Sequence, residues 1–137
     1  MPHILIVEDE SSTAWALAEG LSDDGFTIDT FPCAEDALRW LRDGHSDLVI
    51  TDYRLPGMSG LDLAKKLARG PHAQPVILVT AYGTPDVLGK LRAAGVADCF
   101  AKPFRIDQLR QSVRRALADT ALRRPRRAAR APRSKAA

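Results

Sequence analysis

The stretch Asp47-Leu48-Val49-Ile50-Thr51-Asp52-Tyr53-Arg54-Leu55-Pro56-Gly57-Met58-Ser59-Gly60 decides the fold. A short apolar run ends at a carboxylate and enters a Pro/Gly turn, which places Asp52 at the end of a strand. Three further apolar runs close in the same way. Ile4-Leu5-Ile6-Val7 precedes Glu8-Asp9, Val76-Ile77-Leu78-Val79 precedes Thr80, and Cys99-Phe100-Ala101 precedes Lys102-Pro103. The runs are continuous rather than alternating, as expected for parallel strands covered on both faces. Their carboxyl ends then line a single crevice, the place where open α/β sheets bind ligands.

Helical spacing fills the intervals. Ala14, Leu17, Ala18 and Leu21 form one stripe; Ala34, Ala37, Leu38 and Leu41 form a second, ended by Asp43-Gly44. Leu61, Ala64, Leu67 and Ala68 predict a third helix. Thr84-Pro85-Asp86 starts a fourth, with a cap, a proline in the first turn and an acid at the positive end. Ile106, Leu109, Val113 and Leu117 mark the last. With a weaker strand from Phe26 to Phe31, five strands alternate with five helices, and right-handed crossovers give a doubly wound parallel sheet ordered 2-1-3-4-5.

The 137 residues suit one domain, expected over residues 1–119, and a basic tail over 120–137. All 17 acids lie at or before Asp119, against 13 of the 20 basic residues, so the domain carries −4. The tail carries +7, from Arg123, Arg124, Arg126, Arg127, Arg130, Arg133 and Lys135, in an Arg/Ala/Pro composition expected to be disordered. No leader or membrane span is expected, since no stretch approaches the ~20 apolar residues that a span needs. Cys33 and Cys99 lack metal-like spacing and read as reduced cytoplasmic thiols. His3, His45 and His72 are scattered and form no metal set. Trp15 and Trp40 lie about 100° from the centres of their stripes and are expected at the core boundary, partly packed.

Several carboxylates in one crevice need a cation to offset their repulsion. Hard oxygen ligands suit magnesium, and a lysine and a hydroxyl opposite complete a site for a phosphoryl group. Any one of these residues alone reads equally well as a helix cap or a solvated charge.

Together, and in this order, they resemble the receiver domain of bacterial two-component response regulators, the CheY-like, (βα)5 flavodoxin-like superfamily. The matching residues are Val7-Glu8-Asp9-Glu10, Asp52 to Gly60, Thr80-Ala81-Tyr82-Gly83 and Lys102-Pro103-Phe104, within a resemblance that covers roughly residues 3–118. The resemblance implies that Asp52 is the nucleophile, phosphorylated by a histidine kinase or a histidine phosphotransfer protein. It implies Mg2+ held by Asp9, Asp52 and the carbonyl of Arg54, with Glu8 acting through a water. Lys102 would pair with a phosphoryl oxygen, and Thr80 would turn its hydroxyl toward it. Arg54 and Tyr82 would tune the lifetime of the phosphoryl group, and a cis peptide would precede Pro103. The implied protein is a phosphoacceptor switch rather than an enzyme, with slow self-dephosphorylation its only turnover.

The chain departs from the family at Cys99, where many receivers carry the aromatic partner of the Thr80 switch. Cys99 is expected to pack as a small apolar residue, with signal output passing through Tyr82 and a fourth helix weakened by Gly89. Gly89 reads equally as a residue that permits close packing. A single-domain cytoplasmic regulator is the leading expectation; a receiver portion of a larger DNA-binding regulator or hybrid histidine kinase is the alternative. The tail could attract nucleic acid or an anionic membrane by charge, but no aromatic residue is interleaved for specific nucleic acid binding. A constitutive adaptor is disfavoured by the complete set of site residues. The resemblance implies a downstream protein target and allows a homodimer.

Overall fold

The computed structural model describes residues 2–70 and 73–123, the side chains of 121–123 excepted. Five strands alternate with five helices: β1 His3–Val7, α1 Ser11–Ser22, β2 Thr27–Phe31, α2 Ala34–Leu41, β3 Leu48–Asp52, α3 Gly60–Arg69, β4 Val76–Thr80, α4 Pro85–Ala93, β5 Asp98–Ala101 and α5 Ile106–Arg123. All four strand pairings are parallel and the order is β2-β1-β3-β4-β5, as the crossover argument predicts.

Register is what assembles the site. Val7 pairs with both Phe31 and Thr51, Asp52 with Val79, and Thr80 with Ala101. The residues that end or follow these strands, Glu8, Asp52, Thr80 and Lys102, therefore fall along one edge of the sheet. The period-two alternation of a strand divides the core in two. Leu5, Val7, Val49, Leu78 and Cys99 face α2, α3 and α4, whereas Ile4, Ile6, Ile50, Ile77 and Val79 face α1 and α5. Most of these side chains are fully buried, and each contributes about 1.5–3 kcal/mol relative to exposure.

Four details differ from the sequence reading. The buried stripe of α3 is Gly60, Leu63, Ala64 and Leu67, while Ala68 is exposed. The apolar face is thus rotated toward Leu63. Trp15 is 66% exposed, not partly packed: the sheet covers only the Ala14-Leu17-Leu21 face of α1. Trp40 does pack, stacked on His3 at 5.0 Å between ring centroids and tilted against Phe31. Ile106 is 38% exposed at the start of α5, over Gly20. Finally, α5 continues to Arg123, past the expected boundary at 119; the basic residues from Arg124 on lie outside the described residues, as does His72.

α5 is tied to the end of α1 by one carboxylate. Asp24 accepts hydrogen bonds from Arg110 Nε at 3.1 Å and Nη2 at 2.6 Å, and from Arg114 Nη1 at 3.0 Å. The Arg110 hydrogen bonds hold the Asp24 carboxyl below its ordinary value of 3.8. A folded pKa below the unfolded one stabilises the fold above the unfolded value, and this contribution is lost as pH falls through the folded pKa. Asp24→Ala is therefore expected to cost about 1 kcal/mol at neutral pH and less in high salt. Urea midpoints should differ between variant and native at about pH 7 and converge at about pH 2. Equal differences at both values would contradict the ion-pair account.

At Gly89, an added Cβ would meet nothing within 4 Å, which removes the close-packing reading of this glycine. The exposed position lies inside α4. Gly89→Ala is expected to stabilise the protein by about 0.5–1 kcal/mol through helix propensity, measured by urea denaturation. A destabilised variant would show that α4 needs the glycine for another reason.

Candidate functional site

Glu8 follows β1, and its side chain is almost completely buried, at 1% exposure. Its Oε2 accepts the Glu10 N–H at 3.2 Å and its Oε1 accepts from Lys102 Nζ at 3.1 Å. Asp9, next in the chain, is exposed. Asp52 ends β3 with its side chain 11% exposed; Oδ2 accepts from Lys102 Nζ at 3.2 Å and Oδ1 from the Arg54 N–H at 3.3 Å. Carboxylate oxygens of Glu8, Asp9 and Asp52 lie within 4.8 Å of one another. Lys102 thus bridges two of three clustered acids.

The electrostatics follow from this packing. Burial is the largest influence on Glu8 and pushes its carboxyl up; the Glu10 amide and Lys102 only partly offset it. Burial opposes the charge on Lys102, but its hydrogen bonds to Glu8 and Asp52 outweigh that cost and hold the ammonium above its ordinary value. A clustered set of hard carboxylate oxygens, partly open to solvent through Asp9, can hold a metal ion.

Two loops close over this edge. At the end of β4, the fully buried Thr80 uses its Oγ1 to accept the Tyr82 N–H at 3.0 Å. Tyr82 is 53% exposed, and the Arg54 guanidinium stacks over its ring at 4.6 Å, joining the β4–α4 loop to the β3–α3 loop. After β5, the Lys102–Pro103 peptide is cis, in agreement with the resemblance. The β3–α3 loop turns back on itself through Gly60 N–H to Tyr53 O at 2.9 Å, and Ser59 caps α3 by accepting the Asp62 N–H at 3.1 Å.

All the residues expected at the site are accounted for. Glu8, Asp9 and Asp52 cluster, Lys102 joins Glu8 to Asp52, the Arg54 amide meets Asp52, and Tyr82 links Arg54 to Thr80. Cys99 sits apart from this group, on the α4 face of β5, 5% exposed, with its Sγ 3.9 Å from Leu88 O. Burial pushes its thiol up, against the thiolate form that redox chemistry needs. Phe100 points to the other face and packs with Phe104. One contributor escapes the sequence reading. Glu35, in the first turn of α2, accepts the Met58 N–H of the β3–α3 loop at 2.9 Å. In sequence it reads only as an acid at a helix N-terminus.

Comparison with known proteins places this arrangement in context. The family described as the response regulator receiver domain matches residues 4–114. The C4-dicarboxylate transport transcriptional regulatory protein DctD of Rhizobium meliloti is 37% identical over 115 residues, which cover 84% of this chain and 25% of DctD. The two-component response regulator PhoP of Pseudomonas aeruginosa is 38% identical over 106 residues, 77% of this chain and 47% of PhoP. The chain therefore spans a quarter to about half of these relatives. The response regulator protein TrrA of Thermotoga maritima, solved in complex with Mg2+-BeF, superposes with a TM-score of 0.77 at 34% identity, over 85% of this chain and 99% of TrrA. The match over nearly the whole sheet and its helices makes the chain a member of the response regulator receiver domain family of two-component systems.

Proposed function

We propose that this receiver accepts a phosphoryl group on Asp52 in a magnesium-dependent reaction and answers by moving its β4–α4 loop. Receiver domains are phosphoacceptor switches, phosphorylated by histidine kinases; the assignment of roles to residues here is our reading. The observation that carries it is the convergence of Glu8, Asp9 and Asp52 within 4.8 Å, with Lys102 Nζ 3.1 Å from Glu8 and 3.2 Å from Asp52.

A carboxylate oxygen of Asp52 attacks phosphorus, and the bond from phosphorus to the donor histidine nitrogen breaks. The product is an acyl phosphate, a mixed anhydride whose lability suits a reversible signal. Asp9, Asp52 and the Arg54 carbonyl would hold magnesium directly, with Glu8 acting through a water, and TrrA, which is similar to this chain, was solved with Mg2+-BeF. When bound, magnesium supplies positive charge against the phosphoryl oxygens. Lys102 is already placed beside Asp52 to neutralise another of those oxygens. Arg54 and Tyr82, two residues beyond Asp52 and Thr80, stack on one another, and we read the pair as slowing the entry of water to the acyl phosphate.

Output begins at Thr80. Its Oγ1 now accepts from the Tyr82 amide, so a hydroxyl that turns toward a phosphoryl oxygen releases the loop at Tyr82. Cys99 is too small to follow this movement as a ring would, which directs the change into the Thr80 to Gly83 loop and α4. The protein is read as cytoplasmic, with a histidine kinase or phosphotransfer protein as its donor. No described helix is long and apolar enough to cross a membrane. The shares of DctD and PhoP that the chain spans favour a second reading, in which these residues are the receiver portion of a longer regulator. The length of the reading frame separates the two.

Titration with Mg2+ alone tests the site. Asp9→Ala, which removes a direct ligand, is expected to weaken magnesium by at least about 10-fold. Unchanged affinity would mean that the acidic cluster is purely structural.

A further inference from the structure

We propose that Glu35 is a positioning residue for the phosphoacceptor site: from α2, its carboxylate fixes the middle of the β3–α3 loop and so holds the Arg54 segment against Asp52. The proposal rests on the reading of Asp52 as the phosphoacceptor.

The loop is anchored at its ends by its own strand. Tyr53 N–H bonds to Val79 O at 2.9 Å, Arg54 N–H to Asp52 Oδ1 at 3.3 Å, and Gly60 N–H to Tyr53 O at 2.9 Å. Among the described residues, the hydrogen bond recorded from outside to the middle of the loop is Met58 N–H to Glu35 Oε2, at 2.9 Å across 23 positions of sequence. Gly57 lies against the same carboxylate oxygen. Its φ is +74°, a conformation that favours glycine, and an added Cβ there would lie 2.6 Å from Glu35 Oε2. The carboxylate occupies the space that a side chain would take.

Glu35 is exposed, but its backbone is not free to move. Ala34 and Ala37 on either side are 0% and 1% exposed and lock α2 onto the sheet. The Met58 amide is the first cause that draws the Glu35 carboxyl below its ordinary value, as expected for an acceptor held in its charged form. A helix held on the sheet therefore presents a charged acceptor to the backbone of the loop at Met58, while the side chains of Leu55 and Met58 pack against the core. Arg54, at the start of that loop, contributes both the amide that meets Asp52 and the carbonyl read above as a metal ligand. Loss of the anchor would loosen Arg54 without touching any acid of the cluster, and supporting residues of this kind set how well a metal site is preorganised.

The experiment compares native protein, Glu35→Ala and Glu35→Gln, the last keeping an acceptor oxygen. The first readout is amide hydrogen exchange by NMR on metal-free protein. Glu35→Ala should speed exchange at both Met58 and Arg54 by about 10-fold or more, while Glu35→Gln stays near native. The second is NMR titration with Mg2+ alone, where Glu35→Ala should bind about 10-fold more weakly. With acetyl phosphate as donor, the alanine variant should need more magnesium for half-maximal rate but reach a near-native maximum. Faster exchange confined to Met58, with Arg54 unchanged, would overturn the proposal, because the anchor would then not reach Asp52. Native magnesium affinity in Glu35→Ala, or equal defects in alanine and glutamine variants, would overturn it as well. If native protein takes up no phosphoryl group on Asp52, it is the phosphoacceptor reading that fails, and the exchange at Arg54 still reports on the anchor.

Discussion

Asp52→Asn is expected to reduce phosphoryl uptake from acetyl phosphate or a phosphohistidine donor by at least about 10³-fold. The amide is a poor nucleophile, and the substitution leaves the shape of the side chain almost unchanged. The neighbourhood should survive: an amide oxygen still accepts from Lys102, now at 3.2 Å from Oδ2, or from the Arg54 amide, now at 3.3 Å from Oδ1. The variant should therefore fold, and its loss of labelling would be chemical rather than structural. Intact-mass measurement after incubation with Mg2+ and donor is the check. Labelling of Asp52→Asn at the native level would move the phosphosite elsewhere.

Gly60→Ala is expected to cost at least about 3 kcal/mol of stability. An added Cβ at Gly60 would stand 2.1 Å from the Asp52 carbonyl oxygen and 2.8 Å from Leu78 Cδ2. The first of these is backbone at the end of a central strand, which cannot retreat without moving Asp52 itself. The helix propensity gained by alanine, about 1 kcal/mol, is too small to compensate. The same substitution at Gly89, where no atom lies within 4 Å, carries the opposite sign. Urea denaturation of the two variants side by side decides this, and a Gly60→Ala protein as stable as native would show that α3 can shift away from Asp52.

The sheet and the heart of the site were legible in the sequence because both depend on strand ends. Parallel strands buried on two faces read as continuous apolar runs, and in-register pairing carries the polar residue after each run to a common edge. Helix phase was less legible. Leu61 and Leu63 lie close together in sequence, and only docking on the sheet selects Leu63, Ala64 and Leu67 as the buried face of α3. Trp15 misled because an angle of about 100° from the stripe was read as the core boundary, whereas the sheet covers only the narrow Ala14-Leu17-Leu21 face of α1. The role of Glu35 was invisible for a different reason. Its hydrogen bond to Met58 joins residues 23 apart, and nothing in the local pattern brings the start of α2 to the turn after β3. The distinction between the two glycines of α3 and α4 likewise rests on what faces them in space.

The most direct test of the central claim is to locate the phosphoryl group. Native protein treated with Mg2+ and acetyl phosphate is trapped with borohydride, which reduces an aspartyl phosphate to homoserine, and the peptide that spans β3 and its following loop is sequenced by mass spectrometry. The account predicts homoserine at position 52 alone, and only when magnesium is present. Homoserine at Asp9 or another acid, or none at position 52 in a protein that remains folded, would contradict it.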